Sequence, residues 1–276
     1  SGAVLISTGS TALSRSGSIQ VETGSSLTSS AGNVSVIAGT SAAFDGSLLY
    51  LRGGDTSSIS SKGGRVYIRA GDGTNDDPAA GGRGGDVAIE AGFAFGGARG
   101  DSGGSLLFRA GNAMKGRGGY VSLLTGVSKL GSSGHVEMTT GDALLSGVSG
   151  GMNLITGRSA GGMSGDIVLS TGVGVDGSGG NVNILVGTGD DSDGGHVLLS
   201  AGRTTAQAQT GGDVSILGGE GSNTQLNDGG DGGDVTVKGG GAKGLNVNDN
   251  AGDVMVSGGD AYAGYGGNVQ IFSGGG

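Results

Sequence analysis

The sequence predicts an all-β protein, a parallel β-solenoid (β-helix) of about 17 short coils, from three observations. Glycine supplies 70 of the 276 residues, with one proline and no cysteine. One motif recurs along the whole chain: Gly, any residue, aliphatic, any residue, aliphatic, any residue, small, Gly. The recurrence is regular, mostly 15 residues per coil, which is too short for a hairpin-based or helix-containing repeat.

Within each motif the apolar residues alternate with polar ones, the period of a strand with one covered face. Gly85-Asp86-Val87-Ala88-Ile89-Glu90-Ala91-Gly92 and Gly165-Asp166-Ile167-Val168-Leu169-Ser170-Thr171-Gly172 are two examples. The motifs open at Gly2, Gly17, Gly32, Gly46, Gly64, Gly85, Gly104, Gly119, Gly134, Gly150, Gly165, Gly180, Gly195, Gly212, Gly233, Gly252 and Gly267. The third position is aliphatic or Met throughout, as at Val4, Ile19, Leu48, Met152 and Val269. Position seven is nearly always small, as at Thr8, Ala38, Ala70, Thr125 and Ala201, and reads as a third inward position where space is narrow. The rest of each coil is Gly, Ser and Ala, so the expected cross-section is thin and flattened.

A longer period overlies the coils. Successive motifs are spaced 15, 15, 14, 18, 21, 19, 15, 15 and 16 residues, then 15, 15, 15, 17, 21, 19 and 15. Nine coils therefore make a super-unit of 148 residues, giving one domain at 1–149 and a second, truncated one at 150–276. The unpaired edges expected at Val4 and Ile6, and at Val269 and Ile271, suggest an excerpt of a longer chain or a subunit that polymerises end to end.

Composition excludes several classes. Collagen needs Gly at every third residue and abundant proline. A flexible Gly/Ser linker would not hold its aliphatic residues in a fixed frame. No apolar run approaches the ~18 residues of a membrane span. The net charge of −9, from 15 basic and 24 acidic residues, argues against a nucleic-acid or anionic-membrane partner. No nucleophile–base pair or repeated carboxylate pair stands out, so the chain reads as a non-enzyme.

Calcium is the one cofactor to which the pattern points. Asp213, Asp234 and Asp253 share the second motif position in three successive coils, with Asp228, Asp231 and Asp249 in nearby loops. Like charges stacked at strand spacing repel, and a hard cation with oxygen ligands would relieve that. The first super-unit has Arg65, Asp86 and Ser105 in that column, and aspartates that cap turns after glycine are the simpler reading. Gly229–Val237 and Gly81–Ile89 fit the calcium-binding nonapeptide of β-rolls, but singly and not in tandem. Arg69, Glu90 and Arg109 share an outward position and read as an alternating charge ladder. His135 and His196 do not correspond under the 148-residue shift and read as turn neighbours. Asn33-Val34-Ser35 is the one glycosylation sequon.

The runs Gly211–Ile216, Ser164–Gly172 and Asp231–Val237 resemble the Gly/Ser-rich repeat proteins of diatoms and related microalgae, and the resemblance spans essentially the whole chain. It implies a secreted or cell-surface repeat solenoid and no catalytic residues. The expected function is structural: an extracellular fibre, sheath or adhesive built by end-to-end and lateral self-association, in which extracellular polysaccharide is a further candidate partner. Apolar outward residues such as Leu5, Leu107, Val168 and Leu198 favour a lateral self-interface. The alternative is a surface-binding module for ice, mineral or polysaccharide on a flat Gly/Ser-rich wall.

Overall fold

A computed structural model describes residues 2–98 and 100–275. Among these residues there is no helix and no strand, and this overturns the expected β-solenoid. The aliphatic residues do not form an interior either: no hydrophobic side chain is buried among the described residues. The chain exposes 28095 Å² of surface. A folded protein of this mass would expose roughly 10,600 Å², and its unfolded chain about 38,000 Å².

The motif nevertheless organises the backbone. At nine junctions the N–H of the opening glycine meets the carbonyl that closes the preceding motif, among them Gly64 to Gly54 (2.7 Å), Gly85 to Gly71 (2.9 Å), Gly104 to Gly92 (2.9 Å) and Gly119 to Gly111 (2.9 Å). The same bond recurs from Gly212 to Gly202, Gly233 to Gly219, Gly252 to Gly240 and Gly267 to Gly259. In the first two coils a threonine does the same work. Thr8 Oγ1 donates to the Gly17 carbonyl and Thr23 Oγ1 to the Gly32 carbonyl, both at 3.1 Å. At these eleven places an eight-residue apolar segment is followed by a loop pinched shut at its base.

That pinch explains the missing sheet. A solenoid needs every segment to bond its neighbours along its length at about 4.8 Å. Here only fourteen backbone–backbone hydrogen bonds join the described residues, and nine of them are the junctions. A packed protein makes about one hydrogen bond per residue. Two aliphatic residues per coil offer little burial to set against ordering a glycine-rich loop, so segments meet at their ends and not along their lengths.

Neighbouring coils still shelter one another in part. The third-position residue is 48–60% exposed in sixteen coils, but Val4, in the first, is 89% exposed. At position five the range is 53–76%, whereas Ile271 in the last described coil reaches 91%. Cover at position three therefore comes from the coil before, and cover at position five from the coil after.

Position seven is the tightest place. Nine of the eleven half-buried residues occupy it: Ala38, Gly53, Ala70, Ala91, Ala110, Thr156, Ala201, Gly239 and Gly258. A Cβ on Gly239 would run into the Gly252 carbonyl oxygen, and one on Gly258 into that of Gly267. Facing them, a Cβ on opening residue Gly195 would lie 2.6 Å from Val186 Cγ1.

The junctions also correct the frame of the fourth coil. Gly64 bonds Gly54, and Gly53 is the half-buried small residue, so the motif opens at Ser47 and not at Gly46. Leu49 and Leu51, not Leu48, are then the third- and fifth-position residues, at 52% and 67% exposure. The spacings of the first super-unit become 15, 15, 15, 17, 21, 19, 15, 15 and 16, and the second super-unit follows them without deviation.

Three wider loops per super-unit repeat in conformation. Ser60 and Ala208, 148 residues apart, both adopt left-handed backbone, with φ of 60° and 57°. The Asn75 carbonyl accepts from Gly82 N–H (2.9 Å) as Asn223 does from Gly230 (3.0 Å). Asp101 Oδ2 accepts from Ala98 N–H (2.9 Å) as Asp249 Oδ2 does from Asn246 N–H (2.8 Å). By proximity the chain divides into two units, Ser1–Thr139 and Thr140–Gly276.

Candidate functional site

The chemistry-bearing residues lie on the loops and on the outward positions of the segments. Asp213, Asp234 and Asp253 each follow an opening glycine in consecutive coils, held there by the Gly212, Gly233 and Gly252 junction bonds. The described residues contain no group of three or more His, Asp or Glu side chains gathered as metal ligands, so the three aspartates are not brought together. Asp249 is turned into its own loop, where it caps Asn246. Asp77 in the first super-unit does the same, accepting from Ala79 N–H (2.8 Å) and Ala80 N–H (3.0 Å). These loops use carboxylates to close turns, as short polar side chains do wherever backbone donors lack partners.

The charge ladder is not formed. Arg69 reaches along its own coil to both oxygens of Asp72, at 2.7 and 2.6 Å, and not across to Glu90. Arg52 pairs likewise with Asp55, from the same motif positions one coil earlier. Both pairs are more than half exposed, so they orient a loop more than they stabilise the chain.

A set of loop-closing hydroxyls escaped the sequence reading. Two residues after the closing position, a Ser or Thr oxygen accepts a backbone N–H from two or three residues on. Thr11 caps Ser14 (3.1 Å), Ser26 caps Ser29 (3.1 Å), Ser41 caps Phe44 (3.1 Å) and Ser128 caps Gly131 (2.8 Å). Thr56 and Thr204, 148 residues apart, cap Ser58 and Ala206 at 3.2 Å each. The signal was present as a hydroxyl residue at a fixed offset from the closing glycine, but it was lost among so many serines.

The dominant surface feature is apolar. Large aliphatic side chains are about half exposed or more in every coil, and the outward Leu5, Leu107, Val168, Leu198 and Met255 are more open still. No pocket is formed among the described residues, and no helix of the described chain is long and apolar enough to cross a membrane. Compared with known proteins, the chain matches no family, no curated protein and no solved structure.

Proposed function

We propose that the chain is a structural, self-associating repeat protein of an extracellular or cell-surface fibre, sheath or adhesive. One observation carries this reading: the repeats hold seventeen pairs of aliphatic or aromatic residues in a fixed frame, and the chain by itself buries none of them. An apolar surface of that extent marks an interaction site. A partner that fits the same motif at a 15-residue spacing, again and again, is most simply another copy of the motif. Open peptide groups along the segments add a second demand for a partner, because the segments bond within the chain only at their junctions. The absence of cysteine leaves such an assembly to non-covalent contacts alone. The extracellular setting rests on the resemblance to the microalgal repeat proteins.

Sedimentation velocity and negative-stain electron microscopy over a dilution series test the reading. The expected result is growth into unbranched fibres above a threshold concentration. A single monomeric species at every concentration would overturn it and leave binding to ice, mineral or polysaccharide as the better account.

A further inference from the structure

Net charge is shared very unequally between the two super-units. Residues 1–149 carry 11 basic and 11 acidic side chains, whereas 150–276 carry 4 basic and 13 acidic, so the second super-unit holds the entire excess. The contrast is sharpest around the wide coils. Residues 62–117 hold 8 basic and 6 acidic side chains; their counterparts, 210–265, hold 2 and 8. At three positions the sign reverses outright under the 148-residue shift. Arg65 corresponds to Asp213, Arg83 to Asp231, and Glu90 to Lys238. All six of these residues are exposed.

Resting on the self-association reading above, we propose that residues 62–117 of one copy dock on residues 210–265 of a second copy, in register through the 148-residue repeat. Arg65 then faces Asp213, Arg83 faces Asp231 and Glu90 faces Lys238. The same register lays Val66 and Ile68 beside Val214 and Ile216, and Val87 and Ile89 beside Val235 and Val237, so the half-exposed aliphatic residues cover one another. Two blocks of the second kind would bring eight acidic residues against eight and repel, while the mixed pair attracts; charge thereby selects partner and register. Three correspondences are like-signed, and two of them are already engaged within their own coils. Asp72 opposite Glu220 is already neutralised by Arg69, and Asp101 and Asp249 are turned into their own loops, which leaves Asp86 opposite Asp234. Every copy offers both surfaces, so the contact is heterologous and adds copies without closing, as a fibre requires.

The test is a charge swap in the full chain. One variant carries Arg65→Asp, Arg83→Asp and Glu90→Lys; the other carries Asp213→Arg, Asp231→Arg and Lys238→Glu. Each alone opposes like charges, and the threshold for assembly should rise roughly threefold to a hundredfold, the range that three exposed pairs together supply. Mixed in equal amounts, the two variants regain complementary faces and should assemble within about twofold of the wild-type threshold; high salt should weaken wild-type assembly as screening sets in. Variants that assemble alone as the wild type does, or a mixture that fails to recover, would overturn the pairing while leaving self-association intact. A wild-type chain that never assembles would overturn both.

Discussion

The two super-units share a backbone plan and differ in what they show to the outside. Coil spacings agree throughout once the fourth coil opens at Ser47, and the left-handed turns at Ser60 and Ala208, the inner turns at Asn75 and Asn223, and the carboxylate caps at Asp101 and Asp249 recur in place. Position seven and the surface charges diverge. Ala70, Ala91 and Ala110 of the first super-unit become Gly218, Gly239 and Gly258 in the second, and Arg65 and Arg83 become aspartates. The junction bonds of the wide coils, set by backbone geometry, recur in both halves, whereas side chains that cap turns can differ, as Ser26, Ser41 and Asp77 become Gly174, Gly189 and Gln225. Residues that only face outward are free to differentiate the two halves, and opposite charge is a form of difference that a partner can use.

The largest expected effect tests the divergence at position seven. In Gly239→Ala the new methyl group meets the Gly252 carbonyl, beside the Gly252 N–H that donates to Gly240, and overpacking of this kind costs about 1–3 kcal/mol. Hydrogen exchange at the Gly252 amide, which bonds Gly240 at 2.8 Å, should accelerate roughly five- to hundredfold. The reverse change, Ala91→Gly, creates no clash and should cost only about 0.5–1 kcal/mol through backbone entropy. Equal effects of the two changes would show that the two crossings do not differ.

A middle-sized effect tests what the halves share. Ser60→Gly and Ala208→Gly each relieve a left-handed backbone, worth about 1 kcal/mol. Both should slow exchange of the loop amides about fivefold, and by the same factor. A response in only one super-unit would break the equivalence of the loops.

The smallest effect concerns an ion pair that only one half possesses. The counterparts of Arg69 and Asp72 are Leu217 and Glu220, so Leu217→Arg should install the missing pair. A double-mutant cycle on Arg69 and Asp72 should return a coupling of about 0.2–1 kcal/mol at low salt, vanishing at high salt. The installed pair should match it.

Much of this plan was legible in the residues. The 15-residue motif, the 148-residue super-unit and the small residue at position seven are local or periodic features, and each can be read from spacing. The frame of the fourth coil was not, because Leu48-Leu49-Tyr50-Leu51 fits an alternating template in two registers and glycine stands at both 53 and 54. The bond from Gly64 to Gly54 and the half-buried Gly53 choose between them, in agreement with the 148-residue period that sets Ser47 against Gly195. For the candidate calcium site, a shared column of aspartates places Asp213, Asp234 and Asp253 in register, but register is not proximity, and the side chains are not gathered.

By itself, then, the sequence determined where the chain pinches and which side chains the repeat presents together, since glycine placement and apolar period act over eight residues or fewer. Tertiary structure alone decided whether consecutive segments would pair along their lengths. That outcome depends on non-local burial outweighing the entropy of a glycine-rich loop, and with two aliphatic residues per coil it does not do so within one chain. The segments therefore stay open along their lengths.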